Sequence, residues 1–197
     1  MIETDMLLSC GAVSKKITMG ETIFNEGTEA HFYYQLLIGS LRLVNIDEEG
    51  KEFIQNMVNP GECFGELPLF DEGLYAVSAI ANKESIILRL HKESFMQILR
   101  EDVSTHLRFS KMLSERLRFK YLLLKELAHH DPARRIVALL DYLKTSKKNI
   151  CQCCNQVQLT RQQIADMTGL RVETVIRVIT SLQSKGSLVI EKGKVYC

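Results

Sequence analysis

The 197-residue sequence has no tryptophan, only three prolines, and no run approaching the eighteen or so apolar residues of a membrane span. A membrane-embedded protein is therefore not expected. The opening residues Met1-Ile2-Glu3-Thr4-Asp5 are acidic and polar and lack the pattern of a secretory leader. Cytoplasmic localisation is the expectation, and there thiols stay reduced. The six cysteines need not be disulfide staples, because a chain of this length buries a sizeable core without them. Local catalytic motifs are missing too. There is no G-x-S-x-G, phosphate-binding loop or H-E-x-x-H, so an enzyme is not expected. What is present, 46% hydrophobic and 25% charged residues, excludes disorder and a coiled-coil rod and reads as one domain or two small ones.

The net charge of +1 hides a partition. Residues 1–131 carry 14 Lys/Arg against 20 Asp/Glu, a net −6. Residues 132–197 carry 11 against 4, a net +7. A basic 66-residue segment on an acidic body points to a polyanionic partner, most simply nucleic acid.

Residues 15–91 are punctuated by glycines at 20, 27, 39, 50, 61, 65 and 73. Between them lie apolar runs such as Phe32–Ile38, Leu41–Ile46 and Ser85–Leu90, while Asp47–Gly50 and Asn59-Pro60-Gly61 have turn chemistry. Short strands at this spacing predict a β-sandwich or barrel. The pattern changes at Lys92. From Asp102 to His130 there is neither Gly nor Pro, and Leu113, Leu117, Tyr121 and Leu124 recur at steps of three and four. Met112, Phe119, Leu122, Leu123 and Leu127 add apolar surface on other sides. A helix apolar over so much of its circumference needs two partners. The reading is that one face packs on the β domain and the other on the same helix of a second subunit. Asp131-Pro132 then stops this helix and starts the next, Asp as cap and Pro at the first helical position.

The strongest local signal is residues 160–185. Thr160-Arg161-Gln162-Gln163 is a capping box, and Thr168-Gly169-Leu170 is a turn. Arg171–Ser184 reads as a second helix with Val172, Val175, Ile176, Ile179 and Leu182 on its packing side. Ser187–Ile190, Glu191–Lys194 and Val195-Tyr196 follow as a hairpin with a cationic tip. Two short helices about a Gly turn, then a hairpin, describe a winged helix-turn-helix whose second helix enters a DNA major groove.

Thr160–Arg177, with Asp47–Glu52 and Gly61–Phe70 upstream, resembles the family of the cyclic-AMP receptor protein and the fumarate-nitrate reductase regulator. The resemblance covers roughly residues 15–197. It implies an α+β protein with a cupin-like β-roll sensor at 1–101, a dimerisation helix and hinge at 102–131, and a winged helix-turn-helix at 132–197. It implies a homodimer bound to a pseudo-palindrome in double-stranded DNA, with half-sites like the TTGA/GTGA core, and RNA polymerase as a further partner. The DNA-binding residues are expected to be Thr160, Arg161, Gln162, Gln163, Arg171, Val172, Glu173, Thr174, Arg177, Lys192 and Lys194. The family's base-reading pair falls on Glu173 and Arg177. The chemistry agrees independently, since a carboxylate accepts from cytosine N4 and a guanidinium grips guanine. A surface Glu–Arg ion pair would have the same spacing.

The resemblance places an effector pocket at Gly65, Glu66, Leu67, Ala76, Val77, Lys120 and Tyr121. The cyclic-AMP branch grips phosphate with Arg and Ser where this chain has Ala76 and Val77, so cyclic AMP is not the expected effector. An effector or a redox, haem or gas signal is expected instead. A cyclic-nucleotide response and ligand-independent action stay open as alternatives. Haem held by an axial histidine is implied by some family members, with His31, His91, His106, His129 and His130 as candidates. Cys10 and Cys63 are too few to hold an iron–sulfur cluster in the sensor half. Cys151-Gln152-Cys153-Cys154 is read as departing from the spacing of common zinc sites, hence as reduced cysteines in a loop, with a thiol switch or adventitious zinc as other readings. No metal site is expected, and these thiols should be dispensable for DNA binding under reducing conditions.

Overall fold

The computed structural model describes residues 2–128 and 131–196. His129 and His130 lie outside the described residues. The chain forms two compact units, Met1–Leu113 and Ser114–Cys197, with the boundary inside one long helix.

The first unit holds α1 (Thr4–Ser9), eight strands, α2 (Leu67–Asp71), α3 (Lys92–Glu101) and the start of α4 (Val103–Leu127). The strands are β1 (Val13–Ile17), β2 (Thr22–Phe24), β3 (Phe32–Ile38), β4 (Leu41–Ile46), β5 (Glu52–Val58), β6 (Cys63–Phe64), β7 (Ser78–Ala81) and β8 (Ser85–His91). They form two antiparallel sheets, ordered β1-β8-β3-β6 and β2-β7-β4-β5. This is the expected roll of short strands.

Strand periodicity explains why β3 reads as an unbroken apolar run. Tyr34 and Leu36 point into the space between the sheets, with Phe24, Leu41, Val58, Phe64, Tyr75 and Ile87. Tyr33 points to the other face, where Leu88 and Leu90 join Phe95 of α3 and Phe109 of α4. Tyr33 stacks on Phe95 at a centroid distance of 4.5 Å, and Phe109 meets Phe95 edge-on at 5.3 Å. The polar-looking N-terminus belongs to this second core. Ile2 and Leu7 are buried in it, and the buried Gln35 side chain donates to the Ile2 carbonyl at 3.1 Å.

The second unit contains the rest of α4, α5 (Pro132–Ser146), α6 (Arg161–Thr168), α7 (Val172–Ser184) and the hairpin β9 (Val189–Glu191) and β10 (Lys194–Tyr196). Asp131 caps α5 by accepting from the Ala133 N–H at 2.9 Å. Ile136, Leu139, Leu140 and Leu143 of α5 are buried, as are Ile164 and Met167 of α6 and Val175 and Ile179 of α7. Within this unit Phe119 of α4 stacks on Tyr142 of α5 at 3.4 Å. No described helix is long and apolar enough to cross a membrane.

Candidate nucleic-acid interface and sensor site

The capping box closes as the sequence predicts. The Gln163 N–H donates to Thr160 Oγ1 at 3.1 Å, and Gln163 Oε1 accepts from the Thr160 N–H at 2.9 Å. These two side chains are thus engaged in fixing the start of α6. Gln162 donates to Asp166 one turn on. Gly169 ends α6 at φ +65°, a conformation suited to glycine. At α7 the N-cap position is Arg171, and its side chain makes no capping bond. Its exposed guanidinium leads the helix that follows.

The faces of α7 divide cleanly. Val175 and Ile179 are buried, with Val172 and Leu182 half-buried beside them. At 100° per residue, Glu173, Arg177 and Thr180 lie opposite, and all three are exposed. Among the described residues no ion pair joins Glu173 to Arg177. Thr174 is half-buried on the flank. Ile176 departs from expectation: it is 49% exposed, next to Glu173 and Arg177 rather than on the packing side. Apolar identity counts it with the packing side, whereas its angular position, three residues after Glu173, puts it on the exposed face, where the family resemblance also sets it, in place of a Ser of the nitrate-reductase-regulator branch. Thr180 was missed for the converse reason, being a small polar residue that only the seven-residue step from Glu173 would reveal.

The hairpin turns through Lys192 at φ +48° and Gly193 at φ +77°, both left-handed as a two-residue type I′ turn requires. Lys192 and Lys194 are exposed at its tip. Arg161, half-buried at the start of α6, donates to the Gly193 carbonyl at 3.4 Å. Burial lowers its pKa. The structure therefore brings Arg161 and the wing turn together on one side of this unit.

In the first unit, Glu66 is buried, Gly65 is half-buried and Leu67 is exposed at the start of α2. Gly65 has φ +69°, and an added Cβ would stand 2.7 Å from Phe24 and 3.1 Å from Tyr75. Phe24 and Tyr75 stack at 3.7 Å, with Tyr34 and Phe64 packed on Phe24. The Tyr34 and Tyr75 hydroxyls hydrogen-bond, and burial raises both pKa values. An aromatic stack thus links the Gly65 loop to the segment of Ala76 and Val77. Ala76 is exposed, its carbonyl accepting from Asn45 at 2.8 Å, and Val77 is half-buried. Phe24, Tyr34 and Phe64 come from three separate strands and Tyr75 from the segment before β7, so no local spacing foretells their meeting.

On α4, Leu117, Tyr121 and Leu124 are 51%, 64% and 60% exposed in the single chain, and Leu113 is half-buried. Lys120 lies beside them, its pKa brought down to about 8 by burial and then by the Arg116 charge. Lys120 and Tyr121 belong to the second unit, whereas the other five expected pocket residues belong to the first.

His31, His91 and His106 are all exposed. His31 approaches Glu29 at 3.8 Å, and His91 lies against Phe32 at a ring distance of 4.5 Å. None of these three imidazoles is buried in the sensor core, so none of the three fits as the axial ligand of an enclosed haem. Cys63 is buried with its sulfur 3.5 Å from that of Met112.

The spacing of the cysteine segment differs from the expectation. Counted from Cys151, Cys154 does stand at C-x₂-C spacing, which the adjacent Cys153 obscures. The sulfurs of Cys151, Cys153 and Cys154 all lie within 4.8 Å of one another, with Cys151 and Cys153 3.0 Å apart. Hydrogen bonds from the Cys153 thiol, then from backbone N–H groups, lower the Cys151 pKa to about 6; the same bond raises Cys153 to about 11.

Two families match the chain: one described as cyclic nucleotide-binding domain, over residues 14–102, and one described as Crp-like helix-turn-helix domain, over residues 134–196. The cAMP-activated global transcriptional regulator CRP of Pasteurella multocida is 30% identical over 166 residues, which are 83% of this chain and 79% of that protein. The catabolite activator protein of Thermus thermophilus is 27% identical, with a TM-score of 0.58 and coverage of 98% and 87% of the two chains. The c-di-GMP-responsive global regulator CLP of Xanthomonas campestris shares the fold, with a TM-score of 0.76 at 22% identity over 98% and 97% of the chains.

Proposed function

Given that this chain belongs to the CRP/FNR family of DNA-binding transcription regulators, we propose that it acts as a homodimer that reads DNA through Glu173 and Arg177 and senses an effector other than cyclic AMP. The observation that carries the reading is the exposed face of α7, where Glu173 and Arg177 stand opposite the buried Val175 and Ile179. A carboxylate and a guanidinium on one helical face have the donor and acceptor pattern for a C·G step in the major groove. Ile176, which flanks Glu173 on the same exposed side, offers a methyl-rich surface for a thymine methyl. Arg171, Arg161, Lys192 and Lys194 supply cations around this face for phosphate contacts, with Thr160, Gln162, Gln163, Val172 and Thr174 setting the helix entry.

Dimerisation is assigned to Leu113, Leu117, Tyr121 and Leu124. Three of these are more than half exposed in the single chain, and covering them supplies on the order of 5 kcal/mol per protomer. The proposed functional boundaries at 101 and 131 rest on the break between α3 and α4 and on the Asp131 cap, whereas the compact units divide inside α4. A promoter-bound dimer of this kind has RNA polymerase as its natural partner.

The effector reading rests on Ala76 and Val77. Neither side chain pairs with a phosphate, and leaving that anion unpaired in a pocket costs several kcal/mol. Effectors differ between similar proteins: one is described as cAMP-activated, another as c-di-GMP-responsive. Anisotropy titration of a labelled duplex carrying two TTGA-like half-sites tests the DNA reading against a scrambled duplex. Tighter binding to the former, unchanged by cyclic AMP, is expected. Calorimetric binding of cyclic AMP at low micromolar affinity would contradict the effector reading.

A further inference from the structure

The segment between α5 and α6 folds back on itself around its three cysteines. The Cys151 N–H donates to the Gln156 carbonyl and the Asn155 N–H to the Cys151 carbonyl, both at 2.8 Å. Asn149 at φ +51° and Asn155 at φ +57° turn the chain at either side. A zinc–thiolate bond of about 2.3 Å in a tetrahedral arrangement separates sulfurs by about 3.8 Å. The three sulfurs, all within 4.8 Å of one another, already bracket that separation.

We propose that Cys151, Cys153 and Cys154 form a thiolate site for a soft d¹⁰ metal ion, Zn²⁺ above all, with a fourth position open on the exposed side. Binding forms three metal–sulfur bonds from three thiolates, and each thiol still protonated gives its proton to solvent, with no change of oxidation state. Thiolate softness excludes Mg²⁺ and Ca²⁺, which need oxygen donors.

The site also has a route to the wing. Gln156 pairs with Tyr196 of β10, and the Val157 N–H donates to the Val195 carbonyl at 2.8 Å. Fixing the turn therefore fixes the base of the hairpin. That an occupied site tightens the hold on DNA rests on the DNA-binding reading above; metal binding itself does not.

The test uses the full chain, tag-free and reduced with a non-chelating phosphine. Zn²⁺ is titrated against a chromophoric chelator, and Co²⁺ is added separately for its sulfur-to-metal charge-transfer band. One equivalent is expected to bind, with that band. Cys151→Ser or Cys154→Ser should each weaken binding by at least about a hundredfold, more than loss of an outer-sphere partner typically costs. Cys10→Ser should leave binding unchanged. Circular dichroism of each variant without metal confirms that the fold is kept. Absence of the charge-transfer band, or equal affinity in Cys151→Ser, would overturn the site. DNA affinity is then measured with and without Zn²⁺. A severalfold gain that vanishes in the Cys151→Ser, Cys154→Ser double variant supports the link to the wing, and an unchanged affinity overturns that link alone.

Discussion

At Asp102 the chain leaves α3 and enters α4, and one carboxylate holds the new helix's first turn. It accepts from the Thr105 hydroxyl and from the Ser104 and Thr105 N–H groups. The Thr105 hydroxyl, then the Ser104 contact, lowers the Asp102 pKa from 3.8 to about 2. A carboxyl whose folded value lies below its unfolded value stabilises the fold above the unfolded value, and loses that contribution as pH falls through the folded one. Asp102→Ala should thus lower the urea midpoint at neutral pH, and the gap to wild type should close near pH 2. An equal gap at both would contradict the assignment. Gly65 gives a second residue-scale outcome. Gly65→Ala places a Cβ against Phe24 and Tyr75 at φ +69°, and should destabilise by about 1–3 kcal/mol in chemical denaturation.

At the scale of elements, α6 depends on its cap. Thr160→Ala removes the acceptor for the Gln163 N–H and should cost about 1 kcal/mol of stability, with weaker DNA binding. This element was legible because a capping box and a Gly stop are local chemistry. α4 was legible because nothing between 102 and 130 breaks a helix, and β3, β4 and β8 because their runs are bounded by turn residues. What escaped the sequence is long-range or angular. Ile2 and Leu7 sit in a polar-looking segment, and only tertiary packing against Leu88 and Phe95 reveals them as core. Phe24, Tyr34, Phe64 and Tyr75 are scattered over 52 positions before the sheets stack them. Hydrophobicity alone counts Ile176 with the packing side, while the helical angle and the family resemblance both set it on the exposed face. At the cysteine turn the adjacent Cys153 and Cys154 obscure the C-x₂-C spacing of Cys151 and Cys154.

For the whole molecule, the charge partition and the exposed seam on α4 belong together. A basic unit binds a palindrome tightly only when two copies are presented side by side. Leu117→Glu with Leu124→Glu should convert the protein from dimer to monomer in sedimentation at micromolar concentration, while each monomer keeps its fold. A wild-type monomer, with and without DNA, would contradict the dimer. The proposed roles separate reading from gripping: Glu173 and Arg177 give sequence preference, and Lys192 gives only affinity. Binding-site selection from random duplexes by wild type, Arg177→Ala and Lys192→Ala tests this division most directly. The account predicts a pseudo-palindrome with half-sites about one helical turn apart, or a multiple of that. Arg177→Ala should flatten preference at one base position per half-site, at a cost of roughly 1–3 kcal/mol. Lys192→Ala should weaken all sequences alike and reduce the salt slope by about one. Retention of the wild-type preference by Arg177→Ala, with a changed preference in Lys192→Ala, would contradict it.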